Sequence, residues 1–243
     1  MKCPKCSFEQ EDGGVECIKC GIIFFKYNRA RQRIKYLDQP RPTRLIWTMQ
    51  KDSTPIYRKL RILLLLWLVW VSWSFIFSPV SFYGNHAAHS FFHHINLPFH
   101  EFGHLLFRPF GRFMHSLGGS LGQLLMPLIC FGVLLWKTHD AFGAAVCMWW
   151  FGESLLDLVS YIDDARSLNM PLLGGNFGYS SPYGFHDWEF ILTESGLLQW
   201  DHALAKTAHI SGSLVMVTAI IWMALLLFRK HQGDRDMRHN PMM

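Results

Sequence analysis

Ile210–Phe228 reads ISGSLVMVTAIIWMALLLF, nineteen residues without an Asp, Glu, Lys or Arg. An apolar helix of about 20 residues is what a bilayer core requires, so this stretch reads as a membrane span. Two further runs, Ile62 to Phe77 and Ser116 to Trp136, are equally free of charge. A fourth, Ala141 to Ile162, is apolar apart from Glu153 and Asp157. The whole chain is only 50% hydrophobic, little above a soluble domain, so the clustering decides the class and the mean does not. The expectation is an all-α polytopic membrane domain of about four spans.

Charge supports this placement. Lys26 to Arg61 carries eleven Lys or Arg against Asp38 and Asp52, and the run stops at the first span. Arg229, Lys230, Arg235 and Arg238 follow the last one. Basic flanks of this kind mark the cytoplasmic side, with anionic lipid headgroups as their contact, and they argue against nucleic acid as the partner. Met1 opens onto a polar, cysteine-bearing segment, so no cleavable signal is expected and the first span serves as the insertion signal. The localisation that follows is the inner (cytoplasmic) membrane with both termini cytoplasmic. The divisions expected are residues 1–27, a basic tether over 28–60, the membrane domain over 61–230 and a polar tail over 231–243.

The first segment holds Cys3-Pro4-Lys5-Cys6 and Cys17-Ile18-Lys19-Cys20-Gly21. Two C-x-x-C knuckles at this separation offer four thiolates to one structural zinc in a fold too small for a core of its own. On the reducing cytosolic side, zinc is favoured over disulfides. With Gly21-Ile22-Ile23-Phe24-Phe25-Lys26-Tyr27, the segment resembles short bacterial zinc ribbons, which implies docking or regulation.

The chemistry is expected in Leu97-Pro98-Phe99-His100-Glu101-Phe102-Gly103-His104-Leu105-Leu106-Phe107, which contains one H-E-x-x-H. On a helix His100 and His104 share a face and offer two imidazoles to one zinc, while Glu101 stands beside a zinc-bound water as general base. Asn96 reads as the helix cap, with Pro98 in the first turn and Pro109 and Gly111 closing it. About eleven residues then cover roughly 16 Å, half of a hydrocarbon core, so a re-entrant helix is expected.

Around the motif, His86, His89 and His93 fall at helical spacing and read as extra ligands, as a proton path or as a wet interfacial surface. Gly118 and Gly122, four apart, allow another backbone to approach closely. Glu153 and Asp157 lie at a depth where ionisable groups face a polar cavity, and one of the two is expected as third ligand. Residues 167–187 form a Gly, Pro and aromatic-rich loop, a lid or a connector, in which His186 is a reserve ligand. Trp188 to Trp200 has the spacing of an interfacial helix.

H-E-x-G-H beside glycine-rich and acid-bearing membrane segments resembles the site-2 protease family of intramembrane zinc metallopeptidases, over roughly Phe91 to Asp187. That resemblance implies His100 and His104 as ligands, Glu101 as the base, an Asp as third ligand and a membrane-embedded or membrane-adjacent polypeptide as substrate. The family sets its Asp in P-x-L-D-G. Here Pro171-Leu172-Leu173-Gly174-Gly175 has Leu173 at that place, which transfers the role to Asp157 or Glu153. Glu153-Ser154-Leu155-Leu156-Asp157 is also similar to the E-x-x-x-D of membrane gluzincins of the CAAX-processing and stress-protease type, which favours Glu153. A catalytically inactive homologue that binds metal or a partner is the remaining alternative. Two zincs, one catalytic and one structural, are expected.

Overall fold

A computed structural model describes residues 1–28 and 55–228. The helical piece expected near Ala30 to Leu37, most of the basic tether and the basic and polar carboxy-terminal segment lie outside the described residues. The chain divides into two compact units, residues 1–46 and 47–243.

In the first unit, the two knuckles fold as copies of one another. Ser7 N–H donates to the Cys3 carbonyl at 2.9 Å and Gly21 N–H to the Cys17 carbonyl at 2.8 Å. Each turn is left through a residue of positive φ, Ser7 at 58° and Gly21 at 66°. Isolated antiparallel bridges Lys2 to Glu9 and Glu16 to Ile23 close the loops. Among the described residues of this unit, the buried core consists of Cys3, Cys17 and Phe24. So small a core does not offset the entropy of ordering the chain, and the four thiols must hold it together.

In the second unit, α1 is Pro55–Ile76, α2 Phe91–Phe107, α3 Arg112–Gly132, α4 Ala141–Asp163, α5 Asp187–Glu194 and α6 Asp201–Phe228. Among the described residues, four helices are long and apolar enough to cross a membrane: Ile56–Ile76, Arg112–Lys137, Ala141–Asp163 and Leu198–Phe228. The third is the most enclosed, with 67% of its apolar window buried against 28–33% for the others. It therefore carries its acids, Glu153 and Asp157, inside protein rather than toward lipid.

The motif helix differs from expectation. It begins at Phe91, capped by Ser90, whose Oγ accepts from the Phe92 N–H at 3.1 Å. Asn96 is not a cap. It is fully buried, and its side-chain amide is engaged by α4. Pro98 sits inside the helix. The helix ends in a 3-10 turn, Arg108–Phe110, before Gly111 at φ 95°. Its 17 residues span about 25 Å, more than the sequence suggested, yet α2 is not one of the four candidate spans. His86 and His89 precede it and share no helical face with His93; they bond Ser74 Oγ at 2.8 Å and the Phe82 carbonyl at 2.9 Å. The segment expected along an interface begins with a short helix, α5, whose Phe190, Ile191 and Leu192 are buried.

Glycines set the spacing of the helices. A Cβ on Gly103 would collide with the Gly118 carbonyl, and one on Gly122 with the Phe99 carbonyl and the Gly103 Cα. The backbones of α2 and α3 thus touch. Gly152 and Gly212 make a second such crossing between α4 and α6.

Two outcomes test this arrangement. Gly103→Ala forces α2 off α3 and should cost about 1–3 kcal/mol, the usual range for overpacking, read as a lower midpoint of unfolding in detergent. Cys6→Ser should unfold the first unit and release one zinc without emptying the membrane unit; loss of metal from both units contradicts their independence.

Candidate metal centre

Two groups of side chains among the described residues can hold a metal ion: Cys3, Cys6, Cys17 and Cys20, and His100, His104 and Asp187, each with its ligand atoms within 4.8 Å of one another. In the first, Cys3 and Cys20 sulfurs lie 3.8 Å apart and those of Cys6 and Cys17 3.7 Å apart. Four thiols so spaced fit a tetrahedral ion.

In the second, the H-E-x-x-H spacing has the expected result. His100 and His104 lie edge to face on one face of α2, ring centroids 4.8 Å apart. The third member arrives from the loop after α4: Asp187 is the first residue of α5, and its Oδ2 lies 3.5 Å from His100 Nε2 and 3.3 Å from His104 Nε2.

What these atoms face shows that they fit a cation. The His104 Nδ1 lies 2.8 Å from the His115 carbonyl, which can only accept, so Nδ1 carries the proton and the neutral ring presents a lone pair at Nε2. His100 Nδ1 lies 3.2 Å from Gln123 Oε1 and is read the same way. Two imidazole lone pairs and a carboxylate oxygen therefore converge, an arrangement a cation or protons must satisfy. Space is kept for it, since a Cβ on Gly119 would stand 2.5 Å from both Nε2 atoms.

Without metal, protons fill the gap. Burial alone would push the Asp187 carboxyl up, but hydrogen bonds with His100 and His104 outweigh it and hold the carboxyl at about 2. Burial would lower His104, but Asp187 outweighs that and raises it above its ordinary value. Tyr161 steadies the carboxylate, its hydroxyl donating to Asp187 Oδ2 at 3.1 Å and accepting from the Asp187 N–H at 2.9 Å.

The acids expected as third ligand are placed elsewhere. Asp157 Oδ2 accepts from Gln123 at 2.8 Å and from Asn96 at 3.1 Å, and its Oδ1 faces His93 at 2.9 Å. Glu153 is fully buried and bonded to Asn96. Neither belongs to the histidine group. The reason is geometric: on α4 both side chains meet α2 a turn or more before the motif, at Asn96 and His93. His186, the reserve ligand, is also fully buried; its Nδ1 caps α5 by accepting from the Glu189 N–H at 3.1 Å, and its Nε2 lies 3.5 Å from Asp164. Its neighbour Asp187 takes the place. The signal available was the dipeptide His186-Asp187 opening a helix after a Gly-rich loop, where an acid is also a common first-turn residue.

His100, Glu101, His104 and Asp187 line a cavity of about 810 Å³, shared with Leu97 and Leu172. Glu101 is exposed within it. Its wall combines apolar and hydrogen-bonding groups.

The chain matches no known protein family, no curated protein and no solved structure.

Two measurements follow. Gly119→Ala leaves every proposed ligand in place but fills the space between them, and should abolish metal binding in the membrane unit while the first unit stays loaded. In metal-free protein, the raised His104 adds stability that is complete below its ordinary 6.5 and is lost as pH rises through its folded value. The lowered Asp187 adds stability that is complete above 3.8 and is lost as pH falls toward about 2. The wild type should therefore exceed Asp187→Asn in thermal stability most between pH 3.8 and 6.5; a constant difference across pH contradicts the pairing.

Proposed function

We propose that the chain is an integral-membrane zinc metallopeptidase that cleaves membrane-embedded or membrane-adjacent polypeptides. The observation that carries this reading is the convergence of His100 Nε2, His104 Nε2 and Asp187 Oδ2 on one wall of a cavity that also exposes Glu101. It agrees with the resemblance of His100-Glu101-Phe102-Gly103-His104 to the site-2 protease motif, with Asp187 in the role of the family's aspartate.

His100, His104 and Asp187 would hold the zinc. Zinc bound there supplies Lewis acidity, polarising a scissile carbonyl and lowering the pKa of a water. The protein supplies the proton handling. Glu101 follows His100 directly on α2, so its carboxylate borders the metal group without joining it. It takes a proton from the attacking water as the new C–O bond forms, then delivers it to the departing nitrogen as the C–N bond breaks. Tyr161 and Gly119 keep the Asp187 carboxylate and the histidine pair at their distances.

With four spans, the basic segments at residues 26–61 and 229–238 fall on one side, which we assign to the cytoplasm of an inner membrane. The motif helix then enters without crossing. Anionic headgroups neutralise both basic segments, and the cysteine unit is a structural zinc ribbon.

Glu101→Gln should retain two zincs per chain and lose turnover by at least about a hundredfold, the lower range for removing a general base. His104→Ala and Asp187→Ala should lose both the membrane zinc and turnover. Undiminished cleavage of a membrane-protein substrate by purified Glu101→Gln contradicts the assignment.

A further inference from the structure

Gln123, Asp157, Asn96, Trp150 and Ser154 lie behind the histidine pair, with Gln123 and Asp157 also reaching the cavity wall. Each contact in this buried cluster is fixed by a group that can act in only one sense. The Trp150 indole N–H can only donate, and it meets Asn96 Oδ1 at 2.8 Å. The Asn96 amide nitrogen is thereby turned the other way, to Glu153 Oε2 at 3.0 Å and Asp157 Oδ2 at 3.1 Å. The Ser154 carbonyl can only accept, and with Asp157 Oδ2 it draws the Gln123 amide nitrogen, at 3.3 Å and 2.8 Å. Gln123 Oε1 is then the only end left to face His100 Nδ1, at 3.2 Å. Gln123 is 3% exposed and Asn96 0% exposed, so water does not relax these choices.

We infer that Gln123, locked by Asp157 and the Ser154 carbonyl, is a positioning residue that fixes His100 with its proton on Nδ1 and its lone pair on Nε2, directed at Asp187. It does for His100 what the His115 carbonyl does for His104. The difference is that a side-chain amide can flip and a backbone carbonyl cannot, which explains why the first ring needs a buried network behind it and the second does not. The acids of α4 thus serve the metal group at one remove. This deepens the metallopeptidase reading by naming what orients one of its ligands.

The test uses the full chain in detergent and two substitutions. Gln123→Met keeps the volume and removes the acceptor. Gln123→Glu keeps an acceptor toward His100. The first readout is the ring-nitrogen NMR signature of His100 in zinc-free protein at about pH 9, where an ordinary imidazole is neutral. Wild type and Gln123→Glu should show Nδ1–H; Gln123→Met should show a mixture of tautomers. The second readout is zinc affinity of the membrane unit, expected to fall about 10- to 100-fold in Gln123→Met and by less than about tenfold in Gln123→Glu. A wild-type His100 with its proton on Nε2 overturns the inference, as does a Gln123→Met chain with unchanged tautomer and zinc affinity. A wild-type chain that binds only the first unit's zinc yet shows Nδ1–H supports the positioning of His100 and refutes the metal reading alone.

Discussion

Contact between the backbones of α2 and α3 is the constraint on which the rest depends. Gly103 and Gly118 have no side chains to separate the helices, and Gly122 extends the contact by one turn toward Phe99. At this distance the next small residue, Gly119, lies under the imidazoles of His100 and His104, where a Cβ would stand 2.5 Å from both Nε2 atoms. One residue of the motif, the glycine of H-E-x-G-H, therefore does structural work for the other three. In lipid, where burial gives no drive for helices to associate, close backbone packing and buried hydrogen bonds must supply the cohesion. Here the two are combined, because Gln123 bonds across to α4 from the face adjoining the glycine contact.

The buried acids follow from the same economy. Glu153 and Asp157 would be costly on a helix facing hydrocarbon, but α4 is the most enclosed of the four candidate spans. Asn96, Gln123 and His93 meet them with donors. Paired with polar side chains, the acids link α2, α3 and α4 while keeping clear of the site they were expected to complete.

How far the sequence reveals this depends on the range of each interaction. His100, His104 and Gly103 are legible because their relations are local, set by helical spacing within five residues. The cysteine knuckles are legible for the same reason, and the four candidate spans because apolar length is a property of a single segment. Asp187 is not legible: it is 87 residues from His100, at the start of a short helix whose position only tertiary packing sets. The acids at 153 and 157 competed for its role with a better local pattern. Asn96 has the composition of a helix cap but is spent on α4, a choice made by burial and invisible to propensity. His186, taken as the reserve ligand, missed by one residue, since its ring caps the helix that Asp187 begins.

In the proposed membrane centre, two imidazoles and one carboxylate, with no sulfur, hold a zinc. Zinc-edge X-ray absorption on the full chain with Cys3, Cys6, Cys17 and Cys20 all changed to Ser tests it directly, because the sulfur-bound ion is then gone. The result expected is one zinc per chain, with nitrogen and oxygen neighbours at about 2.0–2.2 Å, the multiple scattering of two histidine rings, and its loss when Asp187→Ala is added. A chain that binds no zinc once the cysteines are removed, or whose zinc is unchanged by Asp187→Ala and lost with Asp157→Ala, would contradict it.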